Sequence, residues 1–185
     1  MHDPVDLSGA GHGNFKRTRG TFVEALWILV EFFLVTNSLQ VSSTIRAWAL
    51  RMFGAQVGAN VLLRPRLRVK FPWNLRIGDN CWIGEGVWIH NQGKVTVEDN
   101  AVLSQDAFIT TGSHDIYGSM DLVIEPVFIH RGAWVTTRCL ILQGVEVGEN
   151  TVVSPGSVVN KSLPPNNIYG GNPAQFIRER WNHKS

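Results

Sequence analysis

Aliphatic residues recur at every sixth position through most of this chain. They form five groups of three: Val57, Leu63, Val69; Ile77, Ile83, Ile89; Val97, Leu103, Ile109; Ile129, Val135, Ile141; Val147, Val153, Val159. Four residues after each lies a second set, mostly small, including Cys81, Ala101, Ala107, Ala133, Cys139, Thr151 and Ser157. Faces alternate along a strand with period two, so both sets point the same way, into an interior. A six-residue unit is a short strand plus a corner, and three units close a triangular coil. Stacked coils bury one another's aliphatic rows, which no single repeat could do alone. Gly and Asn in Ile77-Gly78-Asp79-Asn80 and Val147-Gly148-Glu149-Asn150 suit corners that need positive φ or a tight bend. The pattern predicts a parallel β-helix of about five coils over residues 56–164, an all-β solenoid.

Coils begin at 57, 77, 97, 129 and 147, so the steps are 20, 20, 32 and 18 residues. The small excesses read as corner insertions. The large one is a loop at residues 115–128, which opens after Ile109-Thr110-Thr111-Gly112-Ser113-His114-Asp115. A long loop leaving a rigid scaffold is where function tends to sit.

Residues 1–55 should form an N-terminal helical cap. Residues 1–14, with Gly9, Gly11 and Gly13, read as loosely attached. From Thr21 to about Thr36 the chain is strongly apolar, and Leu26, Leu29, Val30 and Phe33 follow helical spacing. With Glu24 and Glu31 it is too short and too polar to span a bilayer. Packing against the solenoid is the favoured role, with Trp27 and Phe33 buried. The two carboxylates weigh against the lesser reading, an in-plane membrane helix beside Lys16, Arg17 and Arg19. A second helix should start at the Ser42-Ser43-Thr44 cap and stop at Gly54. At the other end, Leu163-Pro164-Pro165 should end the repeat. Residues 165–185 then read as a turn, Gly170 to Ala174, followed by a short basic helix from Gln175 to Trp181.

A net charge of +2 with 17% charged residues argues against nucleic acid as the main partner, while a pI near 8.7 leaves room for an anionic ligand. Cys81 and Cys139 lie two coils apart, beyond disulfide reach, and read as reduced core residues. With no signal-like apolar run at residues 1–20, the expected location is cytoplasmic, with peripheral contact at the inner membrane face as the alternative.

His114 leads the candidates for chemistry. A rigidly mounted imidazole that titrates near neutral pH suits removal of a proton from an alcohol. Asp115 and Glu125 are loop acids that could orient it. His90 and Asn91, at corner positions one coil earlier, are candidates for an acceptor pocket. A three-histidine zinc site would need a second histidine close to His114, and none follows, so no metal is expected. A nucleophile elbow is also missing.

The coils, the Gly112-Ser113-His114-Asp115 turn and the C-terminal segments Ser154-Pro155-Gly156-Ser157-Val158-Val159-Asn160-Lys161 and Gly171-Asn172-Pro173-Ala174 resemble the hexapeptide-repeat O-acetyltransferases. Leu50-Arg51-Met52-Phe53-Gly54-Ala55 and Phe71-Pro72-Trp73-Asn74-Leu75 are similar to the colanic acid biosynthesis branch. The resemblance implies a left-handed β-helix, a homotrimer, acetyl-CoA as co-substrate and a sugar hydroxyl as acceptor, in polysaccharide or glycolipid biosynthesis. It puts His114 at the catalytic position and Thr137, Ser154, Pro155, Asn160, Lys161 and Arg178 on stretches that meet the cofactor in relatives. This chain departs from relatives at Val153-Ser154-Pro155-Gly156-Ser157, at Asn160-Lys161-Ser162 and at Val135-Thr136-Thr137. The competing readings are a γ-carbonic-anhydrase-like zinc protein and a catalytically silent binding solenoid.

Overall fold

The computed structural model describes residues 7–181. Each aliphatic row runs up one of three parallel sheets. Face A stacks Gln56–Val57, Leu75–Ile77, Val95–Val97, Val127–Ile129 and Glu146–Val147. Face B stacks Leu62–Leu63, Trp82–Ile83, Val102–Leu103, Trp134–Val135 and Val152–Val153. Face C stacks Arg68–Val69, Trp88–His90, Phe108–Thr110, Leu140–Ile141 and Val158–Val159. Register is strict: Ile77 pairs with Val97, Val97 with Ile129 and Ile129 with Val147. All the sixth-position residues are buried except Val57, which is partly covered in the first coil. Cys81 and Cys139 are free thiols in this core.

The corners explain the Gly and Asn content. The residue three after a core position adopts positive φ, as at Asn80 (56°), Gly86 (73°), Asn100 (60°) and Asn150 (57°). Asn tolerates that region and Gly is at no disadvantage there. Gly148 serves a different need, since a Cβ there would lie 2.6 Å from the Leu163 carbonyl oxygen. That close approach lets the chain add a sixth, partial turn. Leu163 bridges to Val147, and Asn167–Gly171 pairs in parallel with Val152–Val153. The Pro164-Pro165 pair therefore does not end the stack.

The expected C-terminal helix is a strand. Ala174–Glu179 runs antiparallel to Asn167–Gly171, with Phe176 edge-on to Tyr169 at 5.9 Å between ring centres. So short a helix gains little in water, whereas the last strand of face B offers unpaired backbone groups.

At the opposite end, α1 (Thr21–Val30) widens into a π turn over Glu31–Thr36. Trp27 is 1% exposed and its indole N–H donates to the Val69 carbonyl at 2.8 Å. Glu31 accepts from the Val69 amide at 2.6 Å, and burial there pushes its carboxyl pKa up. Thr36 donates to the Leu67 carbonyl at 3.1 Å. These bonds occupy the backbone edge of coil one. The second helix, α2 (Ser43–Met52), is capped by Ser42, whose hydroxyl accepts from Ile45 N, and is stopped by Gly54 at φ 93°. Arg46, fully buried, donates through Nε to the Val35 carbonyl and through Nη2 to those of Asn37 and Gln40, tying the interhelical loop down. The expectation for Phe33 fails. It is 58% exposed because it lies on the side of the helix away from Trp27.

Candidate active site

The long loop is a hairpin. Gly112–His114 pairs antiparallel with Leu122–Ile124, so His114 sits on a strand that continues out of coil three at the corner between faces C and A. The backbone carbonyl of Met120 faces its ring at 2.8 Å from Nδ1. A carbonyl can only accept, so Nδ1 carries the hydrogen and a neutral ring keeps Nε2 as an unprotonated, exposed base.

Asp115 does not orient the ring. Its two carboxylate oxygens accept from the Tyr117 and Ser119 amides at 3.0 and 3.3 Å and shape the hairpin tip. Glu125 pairs through its amide with the Thr111 carbonyl and stands against Gly144, so it too leaves His114 alone. Residue type favours an acid as orienter, and a backbone carbonyl leaves no mark in sequence.

The N-terminal segment holds the hairpin in place, against the expectation that it is loose. Residues 1–6 of that stretch lie outside the described residues, but Gly11 to Asn14 form a clasp. The Gly11 amide donates to Asp121 Oδ1 at 2.7 Å, and the Leu122 amide donates back to the Gly11 carbonyl. Asn14 accepts from the Ile124 amide at 2.8 Å and donates to the Ile124 carbonyl at 2.9 Å. Gly13 is required, since a Cβ there would fall 1.9 Å from the Leu122 carbonyl oxygen. At Gly13 the glycine records close backbone approach, which reads in sequence like looseness.

Beside the hairpin, face C carries a cavity of about 460 Å³ between the first coils and α1. Three side chains twenty residues apart stack along it. Lys70 Nζ donates to His90 Nε2 at 3.2 Å, and His90 Nδ1 points at Thr110 Oγ1, 3.5 Å away. Burial and then the charges of Lys70 and Arg68 push the His90 pKa down from its usual value. Arg68 lies over the Trp88 ring at 3.9 Å. Gln92, also in the wall, abuts Gly112 so closely that a Cβ there would meet its Oε1 at 2.3 Å. The hairpin thus leaves the coil at the cavity's edge.

His90 therefore lines this cavity. Asn91 does not. It is fully buried, and its amide accepts from Phe71 N at 3.0 Å and donates to Phe71 O at 2.7 Å. The corner insertion turns it inward to bridge two coils, so no acceptor can reach it.

The expected cofactor residues divide. Thr137, Ser154, Pro155 and Arg178 line one groove at the corner between faces B and C, with Thr137 Oγ1 donating to the Gln105 carbonyl. Arg178 reaches it from the C-terminal strand rather than from a helix. Asn160 and Lys161 are exposed and follow face C on the side of the face A corner, above His114. One chain does not bring His114 and the groove together. Among the described residues, no group of three His, Cys, Asp or Glu side chains could hold a metal ion.

No family model matches the chain. Across 95% of its length it is 38% identical to the "Putative colanic acid biosynthesis acetyltransferase WcaF" of Escherichia coli, covering 97% of that protein. A hexapeptide-repeat acetyltransferase of Vibrio cholerae, solved with acetyl coenzyme A, superposes with a TM-score of 0.81 over 92% of this chain and 97% of that one, at 21% identity. A galactoside acetyltransferase solved with coenzyme A gives 0.78 over 86% of this chain and 81% of that one, at 23% identity. These two show the shared fold. The solenoid is thus of the left-handed β-helix class used by hexapeptide-repeat acyltransferases. With its extensive identity to the Escherichia coli protein, the chain belongs to the hexapeptide-repeat acetyltransferase family.

Proposed function

We propose that the protein transfers an acetyl group from acetyl-CoA to a hydroxyl of a saccharide, with His114 as general base. The observation that carries this is the Met120 carbonyl on Nδ1, which leaves Nε2 of an exposed ring free to accept a proton. The acceptor hydroxyl gives its proton to Nε2 while its oxygen attacks the thioester carbonyl carbon. The carbon–sulfur bond breaks on collapse, and the imidazolium returns the proton to the departing thiolate. The thioester is already activated, so placement and a base suffice and no protein nucleophile is needed.

A saccharide suits the cavity because Trp88 and Phe15 line it together with the polar groups of Arg68, Lys70, His90 and Gln92. The Escherichia coli relative, assigned to colanic acid biosynthesis, and the galactoside acetyltransferase support the same class. Acetyl-CoA is supported by neighbours solved with it or with coenzyme A, and the groove offers Arg178 to a phosphate. Because that groove and His114 lie on different corners, the complete site forms between chains. In a homotrimer the B–C corner of one meets the C–A corner of the next, which carries His114 and Lys161.

The test is thiol release from acetyl-CoA across a panel of free, nucleotide-linked and lipid-linked saccharides. An accepted sugar should support turnover, and His114→Ala should lower it about 100-fold or more, the scale of a lost general base. Near-normal turnover by that variant would remove the assignment.

A further inference from the structure

The N-terminal helices bury one apolar stripe and leave another open. Trp27, Val30, Leu34 and Val35 pack against the solenoid. On the other side of the same helix, Phe22, Leu26, Leu29 and Phe33 follow one another at steps of four, three and four residues. Leu39 and Val41 in the loop and Ile45, Trp48 and Met52 on one side of α2 are apolar and open as well. All nine are exposed, from 42% at Ile45 to 89% at Leu39. A surface helix normally turns polar residues to solvent, and monomeric proteins seldom leave so large an apolar patch open.

Charge says what covers it. Of the five cations in residues 15–55, Arg46 is buried and Arg17 pairs with Glu24, which leaves Lys16, Arg19 and Arg51 exposed; the carboxylates there are Glu24 and Glu31. Read from sequence alone, those carboxylates give the helix a polar face of the wrong sign for anionic lipid. The structure turns both away. Glu24 pairs with Arg17 at 3.2 Å with its side chain only 17% exposed, and Glu31 is spent on the Val69 amide. The outward stripe therefore carries no carboxylate, and exposed Lys16 and Arg19 stand at its N-terminal end. A second copy seated there would bring like cations together.

We infer that this face docks in the plane of a bilayer that carries anionic lipid. The apolar stripe enters the headgroup boundary and the cations meet lipid phosphates. No helix among the described residues is long and apolar enough to cross a membrane, which fits lying on the surface. The same helix lends Ile28 to the wall of the face C cavity, so docking would hold that cavity close to the bilayer and to an acceptor carried on a lipid. That extension rests on the acyl-transfer reading above. The docking does not, and its test needs no activity.

The full chain is floated with vesicles of phosphatidylethanolamine and phosphatidylglycerol, and with pure phosphatidylcholine vesicles as the comparison. Binding to the anionic vesicles, weakened by salt and on phosphatidylcholine, is expected. The double variants Phe22→Gln/Phe33→Gln and Lys16→Glu/Arg19→Glu should each cut it by about tenfold or more, with unfolding temperature and solution mass unchanged. All four positions are exposed, so these variants should fold. Failure of the parent protein to bind, or equal binding by both variants, overturns the inference. So does a fall in solution mass in the Phe variant, which would make the face a contact between copies.

Discussion

At the residue scale, the site is set by what each ring nitrogen faces. His114 was legible as the last residue before the only large break in the repeat. Its partner was not, because Met120 acts through its carbonyl and any residue supplies one. His130 is the contrasting case. Its Nδ1 lies 3.3 Å from Glu98 and its Nε2 3.1 Å from Glu146, both on face A. Burial lowers its pKa, but the hydrogen bonds and charges of Glu146 and Glu98 outweigh that, and the net direction is upward. A folded-state value above the unfolded one, near 6.5, stabilises the protein below that value and ceases to as pH rises through the folded value. Thus His130→Gln should lower the unfolding temperature relative to the parent at about pH 6, and the difference should shrink by about pH 9. A penalty that does not change between those pH values would show that the pairing is not ionic.

Elements whose identity lies in their own pattern were legible, and those defined by a neighbour were not. The six-residue rows and the Ser42 cap belong to the first kind. The C-terminal strand belongs to the second, since Gln175 to Trp181 reads as a basic helix until face B presents an edge. So does Asn91, which a corner insertion turns from surface to core. The clasp of residues 11–14 is another, and it makes a specific demand on the hairpin. Asn14 holds both backbone groups of Ile124, so Asn14→Ala should free the hairpin and misplace the imidazole. Turnover should fall about tenfold or more while the unfolding temperature changes little, because the clasp lies outside the core. Asn14→Asp keeps the acceptor for the Ile124 amide and should retain more activity than the alanine variant. Equal activity in all three proteins would show that the hairpin stands without the clasp.

At the scale of the whole molecule, corners matter more than faces. Three flat sheets make a rigid prism, and the groups proposed as base and cofactor contacts, His114 and Arg178, lie at two different corners of it. If sites form between chains, two differently damaged copies should repair each other. His114→Ala and Arg178→Glu, each impaired alone, should recover a fraction of the parent activity when refolded together, and light scattering should give three times the chain mass. No recovery, or an active monomer, would place the whole site in one chain. A stack of identical rungs also has no internal reason to stop growing. This one is closed at one end by α2 beside coil one, and at the other by Ala174–Glu179 taking up the last backbone edge of face B. Covering the ends in this way would also guard against polymerisation. Removing residues 174–181 should strip a row of hydrogen-bonding groups bare and allow end-to-end growth into filaments, visible as rising scattering and elongated particles under conditions where the full chain stays discrete.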